Sequence, residues 1–390
     1  MLIQQRPFWL VAAAMLALPA GVSASVNMAD TRSVGMGGVG AASANYLSAS
    51  FHNPALATQN KTYDRFGLVL PVAGARFFSD DELYDHIDSF QQIHRQLQAD
   101  PDNISLQQQW RERLTQLDDG RMDADGNAGM VIAVPNRHLS MNFFVKAEVA
   151  AVVLTEVDER DLAVADPGQQ PLYSSGLGVA GGSVDIGVTL AKEFIFLDRD
   201  LSLGISPKYQ RLLAYSYQQT LDKFDDEEID LTDNYTDKGA FNLDIGAAYA
   251  LSRHTVVGVS GRNLLSHSLD ANPAGSSRTV MTYQIEPVYV AAIAYNHPRF
   301  TLAADIDLNR SQPFAELDYR TQFARLGVEL DAWRRAQLRL GYAHSLTDSA
   351  DDMVTAGIGL KPFGKFGVDI AALYGKEDTY GVSAQLVFHF

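Results

Sequence analysis

The sequence contains no cysteine, and this absence removes several classes of site at once. Disulfide frameworks, thiolate metal sites and redox CxxC motifs all require thiols. Basic residues are also few, because 31 Lys and Arg stand against 47 Asp and Glu, for a formal net charge of −16. Nucleic-acid phosphates demand clusters of Lys and Arg, so this composition argues against a nucleic-acid partner.

Long hydrophobic runs are missing beyond the first two dozen residues. Residues 1–24 are typical of a secretory signal peptide, with a basic Arg6, an apolar core over residues 8–18, and small residues before a cleavage site after Ala24. We expect the mature chain to begin at Ser25. An uncleaved anchor is the alternative, but the apolar core is shorter than the roughly 20 residues that cross a bilayer. The pattern therefore predicts export without an inner-membrane helix.

Apolar and polar residues alternate with period two along most of the second half of the chain. In the stretch 301–309, for example, Leu302, Ile306 and Leu308 are apolar, whereas Asp305 and Asp307 are polar. Such alternation places one set of side chains on each face of a strand. The segments are long enough for tilted strands that cross a bilayer, which need roughly 9 to 11 residues. Only a closed barrel satisfies every backbone hydrogen bond in lipid, so we predict an all-β, closed antiparallel transmembrane β-barrel over residues 61–390.

The pattern predicts about fourteen strands, although twelve or sixteen stay open because boundaries from pattern alone err by several residues. The predicted strands cover residues 63–71, 129–135, 140–154, 183–194, 201–214, 241–250, 255–263, 287–296, 299–309, 322–331, 336–345, 353–362, 365–374 and 379–390. On an exported chain, this architecture predicts the outer membrane of a Gram-negative envelope, with lipid and lipopolysaccharide as partners.

Aromatic residues mark both the strand ends and the C-terminal segment. Five tyrosines at strand ends fit an interfacial girdle, with ordinary strand propensity as the alternative reading: Tyr249, Tyr295, Tyr342, Tyr374 and Tyr380. The last predicted strand alternates up to Phe388 and Phe390. A terminal Phe on an amphipathic strand resembles the signal that barrel-assembly machinery recognises, so we expect these two residues to act as an assembly signal.

Residues 25–60 do not alternate and are rich in small residues. Glycines permit positive φ and close backbone approach, which favours a compact plug inside the barrel. The residues singled out for this plug are Gly35, Met36, Gly37, Gly38, Asn53 and Pro54. A phosphate-binding loop is the other reading of the glycines, but they follow no strand and lack the GK[ST] sequence.

Residues 80–118 change to helical spacing, and the sequence Asp100–Pro101–Asp102–Asn103 separates two helices. Their apolar stripes are either a packing face of the hairpin or a partner site. The pattern predicts a helical hairpin in a long extracellular loop or docked on the rim. A run of acidic residues over 222–237 is either a solvated loop or a site for Ca²⁺ or Mg²⁺.

No motif for catalysis or for a metal stands out. Gly258–Val259–Ser260–Gly261 lacks the spacing of a nucleophile elbow, and no HExxH is present. Charged residues on the polar face of the late strands are either paired acids or a lumenal ion-pair network, and polar barrel interiors favour the network. Its predicted members are Asp305, Asp307, Arg325, Glu329 and Arg339. We therefore expect neither an enzyme nor a cofactor nor a bound metal.

Two families resemble this chain. The sequence 33–38 (SVGMGG) followed by Asn53–Pro54–Ala55 resembles the start of FadL-type long-chain fatty-acid transporters, in which a hatch plugs a fourteen-stranded barrel. The stretches 207–210 (PKYQ), 241–246 (FNLDIG), 262–264 (RNL), 304–308 (ADIDL) and 337–342 (QLRLGY) resemble the conjugal-transfer TraF-like outer-membrane family. The FadL resemblance implies a path for a hydrophobic ligand past the hatch.

Two functions follow as expectations. The first is passage of a small solute, hydrophobic ones included, or an envelope role linked to conjugal transfer. The second is a structural or interaction protein of the outer membrane whose helical hairpin and acidic run bind a partner.

Overall fold

The structure is a computed structural model that describes residues 30–60, 66–79, 83–167, 169–224, 235–275, 280–333, 335–362, 364–376 and 379–390. The predicted signal peptide, residues 25–29 and most of the acidic run 222–237 lie outside the described residues. Within the described ranges, no helix is both long and apolar enough to cross a membrane.

Among the described residues, fourteen antiparallel strands form a closed barrel, as the alternation predicted. They are β1 (Gly67–Ser79), β2 (Arg121–Val134), β3 (Ser140–Glu156), β4 (Ser175–Phe196), β5 (Arg199–Thr220), β6 (Thr236–Ala250), β7 (Thr255–Arg262), β11 (Val288–His297), β12 (Phe300–Asp307), β13 (Phe323–Trp333), β14 (Ala336–Ser345), β15 (Met353–Leu360), β16 (Phe366–Gly375) and β17 (Tyr380–His389). The ring closes where β1 pairs with β17, and every predicted strand overlaps one of these fourteen.

The pleat separates an apolar outer face from a polar inner face. On β13, Leu326 is 59% exposed, whereas its neighbours on the opposite face, Arg325 and Glu329, are 9% exposed. Leu340 on β14 and Val382 on β17 are likewise exposed on the outside. An exposed apolar belt around a closed barrel is the surface that lipid covers in a transmembrane barrel.

Short turns join the strands at one end of the barrel, and most of the connections at the other end are long. The turn between β4 and β5 consists of Leu197 and Asp198, both with positive φ, whereas residues 80–120 link β1 to β2. We call these the short-turn end and the long-loop end. In outer-membrane barrels, short turns face the periplasm and long loops face the exterior.

The first predicted strand, 63–71, ends too early, because β1 continues to Ser79, while its residues 63–65 lie outside the described residues. A bulge between Val69 and Val72 shifts the register with both neighbouring strands. One extra residue reverses which side chains face inward, so the apolar period changes phase at Pro71 and the pattern ends there.

Three other strands extend far beyond their predictions at the long-loop end: β2, β4 and β5. In these extensions the outward side chains do not face lipid. Helices α3 (Leu83–Ala99) and α4 (Ile104–Thr115) cover them, packing Phe90 and Trp110 together with Tyr215 and Tyr217 of β5 and with Val153 of the neighbouring β3. The helical hairpin therefore lies against the outside of the wall, and its apolar stripes serve its own packing.

Other short helices lie elsewhere in the chain. They are α1 (Thr31–Val34), α2 (Ala49–His52), a 3-10 helix (Pro54–Thr58) and α5 (Glu159–Leu162). The first three belong to the N-terminal segment, residues 30–60, which is buried almost throughout.

A small inner hairpin, unpredicted from the sequence, fills part of the long-loop end. Strands β8 (His267–Asp270) and β10 (Thr282–Ile285) pair with each other, and β9 (Pro273–Gly275) pairs in parallel with β5. The Tyr283 side chain packs with inward-facing residues of β3, β4 and β5, and it lies so close to Gly181 that a Cβ there would meet it at 2.2 Å. Strands of four residues carry too short an alternation to be recognised in sequence.

Candidate functional site

The N-terminal segment contacts the inward-facing side chains of several wall strands. The Thr31 amide donates to Gln385 Oε1 on β17, and Asn142 on β3 donates to the Tyr46 carbonyl at 2.7 Å. None of the described residues of the segment joins the wall as a strand. The predicted plug residues Gly35, Met36, Gly37, Gly38, Asn53 and Pro54 are all buried.

Glycines on the inner wall make room for the backbone of the segment. A Cβ at Gly341 would lie 1.9 Å from the Gly37 nitrogen, and one at Gly327 would lie 2.4 Å from the Met36 carbonyl oxygen. Gly37 itself has φ +73°, which favours glycine, and its amide donates to Thr355 Oγ1 at 2.8 Å. The segment and the wall therefore approach each other backbone to backbone.

Asn53 joins the end of the segment to strand β6 of the wall. Its Oδ1 accepts from the Ala55 amide and begins the 3-10 helix at Pro54, while its Nδ2 donates to the carbonyls of Ala41 and Ala247. On the wall, Gly246 has no room for a Cβ, because Asn53 Oδ1 would be 1.9 Å away.

The predicted lumenal network divides into separate groups. Arg325 and Asp307 form a bidentate pair at 2.6 and 2.9 Å. Asp305 instead accepts hydrogen bonds from the amides of Gly40 and Ala41, each at 2.8 Å. Asp305 therefore holds the N-terminal segment.

Glu329 and Arg339 belong to an ion-pair network of four residues. The sequence predicted these two members and missed the other two. Arg32 of the segment makes a bidentate pair with Glu329 at 2.9 and 3.0 Å, and Arg339 donates to Glu329 at 2.7 Å and to Asp369 at 2.6 Å. Asp369 alternates on β16 and could have been included from its period. Arg32 lies in a segment without a period, so no pattern marked it.

A further buried pair lies within the segment, where His52 Nε2 is 3.1 Å from Asp30 Oδ2. Another lies on the wall, where Lys208 Nζ is 3.0 Å from the carboxylates of both Asp185 and Asp244. These side chains alternate on the inner face of their strands, and the sequence analysis did not single them out.

A cavity of about 80 Å³ opens at the long-loop end. We call it the mouth cavity, and its lining is Arg76, Phe78, Arg121, Asp123, Tyr319, Thr321, Phe323, Asp348, Ser349, Ala350, Asp351, Met353 and Thr379. Burial and the nearby Asp123 raise the pKa of Tyr319, so its hydroxyl stays protonated at neutral pH. The sequence analysis missed this site because its residues come from distant loops and strands.

The predicted assembly-signal residues lie at the C-terminal end of the described chain. Phe388 lies on β17, which closes the barrel, and Phe390 directly follows the end of that strand; the Phe390 backbone exchanges hydrogen bonds with Phe66. The two rings stack with their planes 5° apart. Among the described residues, no three His, Asp or Glu side chains form a group that could hold a metal ion.

Comparison with known proteins identifies a matching family and solved structures with a similar fold. The sequence matches the family described as "F plasmid transfer operon, TraF, protein" over residues 50–307, and no curated protein matches it. Similar solved structures include a Pseudomonas aeruginosa FadL homologue, with 10% identity, 96% of this chain and 99% of that chain covered, and a TM-score of 0.56. The Pseudomonas putida toluene transporter TodX has 11% identity, 95% and 99% coverage and a TM-score of 0.53.

The Ralstonia pickettii toluene transporter TbuX is similar to the same degree, with 11% identity, 94% and 98% coverage and a TM-score of 0.52. At such identities the likeness concerns the fold, which is that of an outer-membrane β-barrel. The family match extends over more than half of the sequence and confirms the resemblance read from its motifs. The chain belongs to the family of the F plasmid transfer operon TraF protein.

Proposed function

We propose that this protein passes a small solute, hydrophobic ones included, across the outer membrane, and that the N-terminal segment is the plug of the barrel. One observation carries this proposal: the segment lies in the lumen and is held by side-chain hydrogen bonds, ion pairs and close contacts. Asp305, Glu329 and Thr355 make such bonds from the wall. Because water can replace polar contacts of this kind, the segment can shift without breaking the wall.

The route to the membrane is part of the proposal. Residues 1–24 direct export and are cleaved after Ala24, and the strand with Phe388 and Phe390 presents the assembly signal to barrel-assembly machinery. Lipid and lipopolysaccharide then cover the apolar belt. The toluene transporters TodX and TbuX share the barrel fold, which supports a hydrophobic solute as the cargo.

Vesicles with a lipopolysaccharide outer leaflet test this function. We expect the wild-type protein to accelerate entry of labelled toluene over empty vesicles. We expect a variant without residues 25–60 to admit the polar sugar arabinose as well, because the lumen loses its filling. Circular dichroism verifies that the barrel still forms. If neither protein increases the entry of either solute while the barrel is intact, the proposed passage is wrong.

A role in conjugal transfer is the second candidate, and family membership favours it. The helical hairpin lies outside the wall and directs polar residues such as Arg95 and Arg113 to solvent, where they could bind a partner together with the acidic run 222–237. Replacing both arginines with Glu leaves the apolar packing of the helical hairpin unchanged. Loss of DNA transfer between cells with toluene entry preserved would favour this candidate, and loss of neither would count against it.

A further inference from the structure

The basic side chains of the mouth cavity are already neutralised by neighbouring carboxylates. Arg76 contacts both Asp123 and Asp125, and Arg121 Nη2 lies 2.6 Å from Asp123 Oδ1. The positive charges of the two arginines are therefore balanced by the negative charges of the two aspartates. The lining also contains Asp348 and Asp351, so the cavity carries a net negative charge.

Arg121 is also held in place, which prevents it from turning toward an incoming anion. Its guanidinium lies over the rings of Tyr319, at 4.4 Å, and Phe78, at 5.3 Å. Its Nη1 donates to the Ser349 carbonyl at 3.2 Å. A carboxylate that enters the cavity would therefore meet acidic groups, and the charges of both arginines are already paired with Asp123.

The cavity leads toward the N-terminal segment. Phe323 and Met353 line the cavity, and both pack in one cluster with Val34 of helix α1. Phe323 and Met353 therefore separate the cavity from the N-terminal segment by one layer of side chains. An enclosed apolar cavity of about 150 Å³ holds a benzene molecule, so this smaller cavity, open on one side, limits its occupant to one ring at most.

From this lining we infer that the mouth cavity selects solutes by charge: it admits small organic cations and neutral molecules and repels carboxylates such as those of fatty acids. This inference rests on the proposed passage function and names its substrate class. Asp348 and Asp351 are the residues that determine the selection, since opposite charges attract and like charges repel across a few ångströms.

Planar bilayers that contain the full protein test the selection with membrane-impermeant ions. Under a gradient of tetramethylammonium methanesulfonate, we expect the reversal potential to show the cation permeating about tenfold faster than the anion at low salt. The double variant Asp348→Asn with Asp351→Asn should reduce this ratio to about twofold. Asp331→Asn is the matched control, because Asp331 is an exposed carboxylate at the short-turn end, and it should leave the ratio unchanged.

A binding measurement separates this inference from the passage function. Saturation-transfer NMR on the detergent-solubilised protein should show benzylammonium bound and benzoate unbound, with the benzylammonium signal lost in the double Asn variant and kept in Asp331→Asn. Equal signals for the two ions, or an undiminished signal in the double variant, would overturn the charge selection. Binding of benzylammonium without any ionic current would support charge selection by the cavity and would contradict the proposed passage.

Discussion

At Gly341, the backbone of the N-terminal segment approaches the wall so closely that no side chain fits between them. We predict that Gly341→Ala displaces the segment from the wall and destabilises the protein by about 1 to 3 kcal/mol, because the added methyl would overlap the Gly37 amide. Urea unfolding and proteolysis of the segment measure the effect. Gly367→Ala is the control, since a Cβ there meets its neighbours at 3.4 Å or more. Equal behaviour of the two variants would contradict the close approach.

Glu329 holds two arginines at once, one from the segment and one from the wall. We predict that Glu329→Gln loosens the segment and lowers the free energy of unfolding by about 1 to 3 kcal/mol, because Arg32 loses its charged partner in a buried position. Hydrogen exchange over residues 30–60 reports the loosening. Asp331→Asn, at an exposed carboxylate, should leave exchange unaltered, and faster exchange there would show a general effect of removing charge.

Among the elements, the helical hairpin carries a pH-sensitive contact. His94 is buried between the helices and its Nδ1 accepts a hydrogen bond from Trp110 Nε1 at 3.0 Å. Burial lowers the pKa of His94 below the ordinary histidine value of 6.5; the nearby Asp222 raises this pKa and Arg95 lowers it further. Since the unfolded hairpin binds a proton more readily, its stability is full above pH 6.5 and declines as the pH falls below that value.

Acid titration of the hairpin by hydrogen exchange tests this behaviour. We expect the protection factors of helices α3 and α4, which correct each exchange rate for the pH dependence of unprotected amides, to be lower at pH 5 than at pH 7.5, whereas those of the wall strands do not change. In His94→Phe, which keeps a ring but cannot titrate, the hairpin should lose this pH dependence. The same acid response in His94→Phe would assign the effect to other groups.

For the whole molecule, the decisive property is the apolar belt. Leu340 is 59% exposed in the middle of β14, on the outer face. We predict that Leu340→Lys destabilises the barrel in lipid vesicles by about 2 to 4 kcal/mol, the cost of a charge near the bilayer midplane. Gln108→Lys, on the exposed face of α4, should cost nothing measurable. Equal folding free energies for both variants would contradict the membrane-spanning orientation.

The period of two along the wall strands was sufficient to predict a closed barrel of about fourteen strands, with twelve or sixteen left open, because lipid outside and a polar interior impose opposite chemistry on alternate residues. Arg325, Glu329 and Arg339 were placed on the inner face by the same rule. The rule failed at β1, where the bulge before Val72 reverses the phase, and in the extensions of β4 and β5, where helices rather than lipid cover the outer face.

Contacts between distant parts of the chain were decided only by the tertiary structure. Arg32 pairs with Glu329, 297 residues away, and Tyr283 fills the space that Gly181 leaves open. A local pattern reports the environment of each residue, whereas a partner across the lumen depends on how the closed wall brings strands together. The sequence alone therefore determined the barrel and its two faces, and the folded chain determined what fills the interior and where the mouth cavity opens.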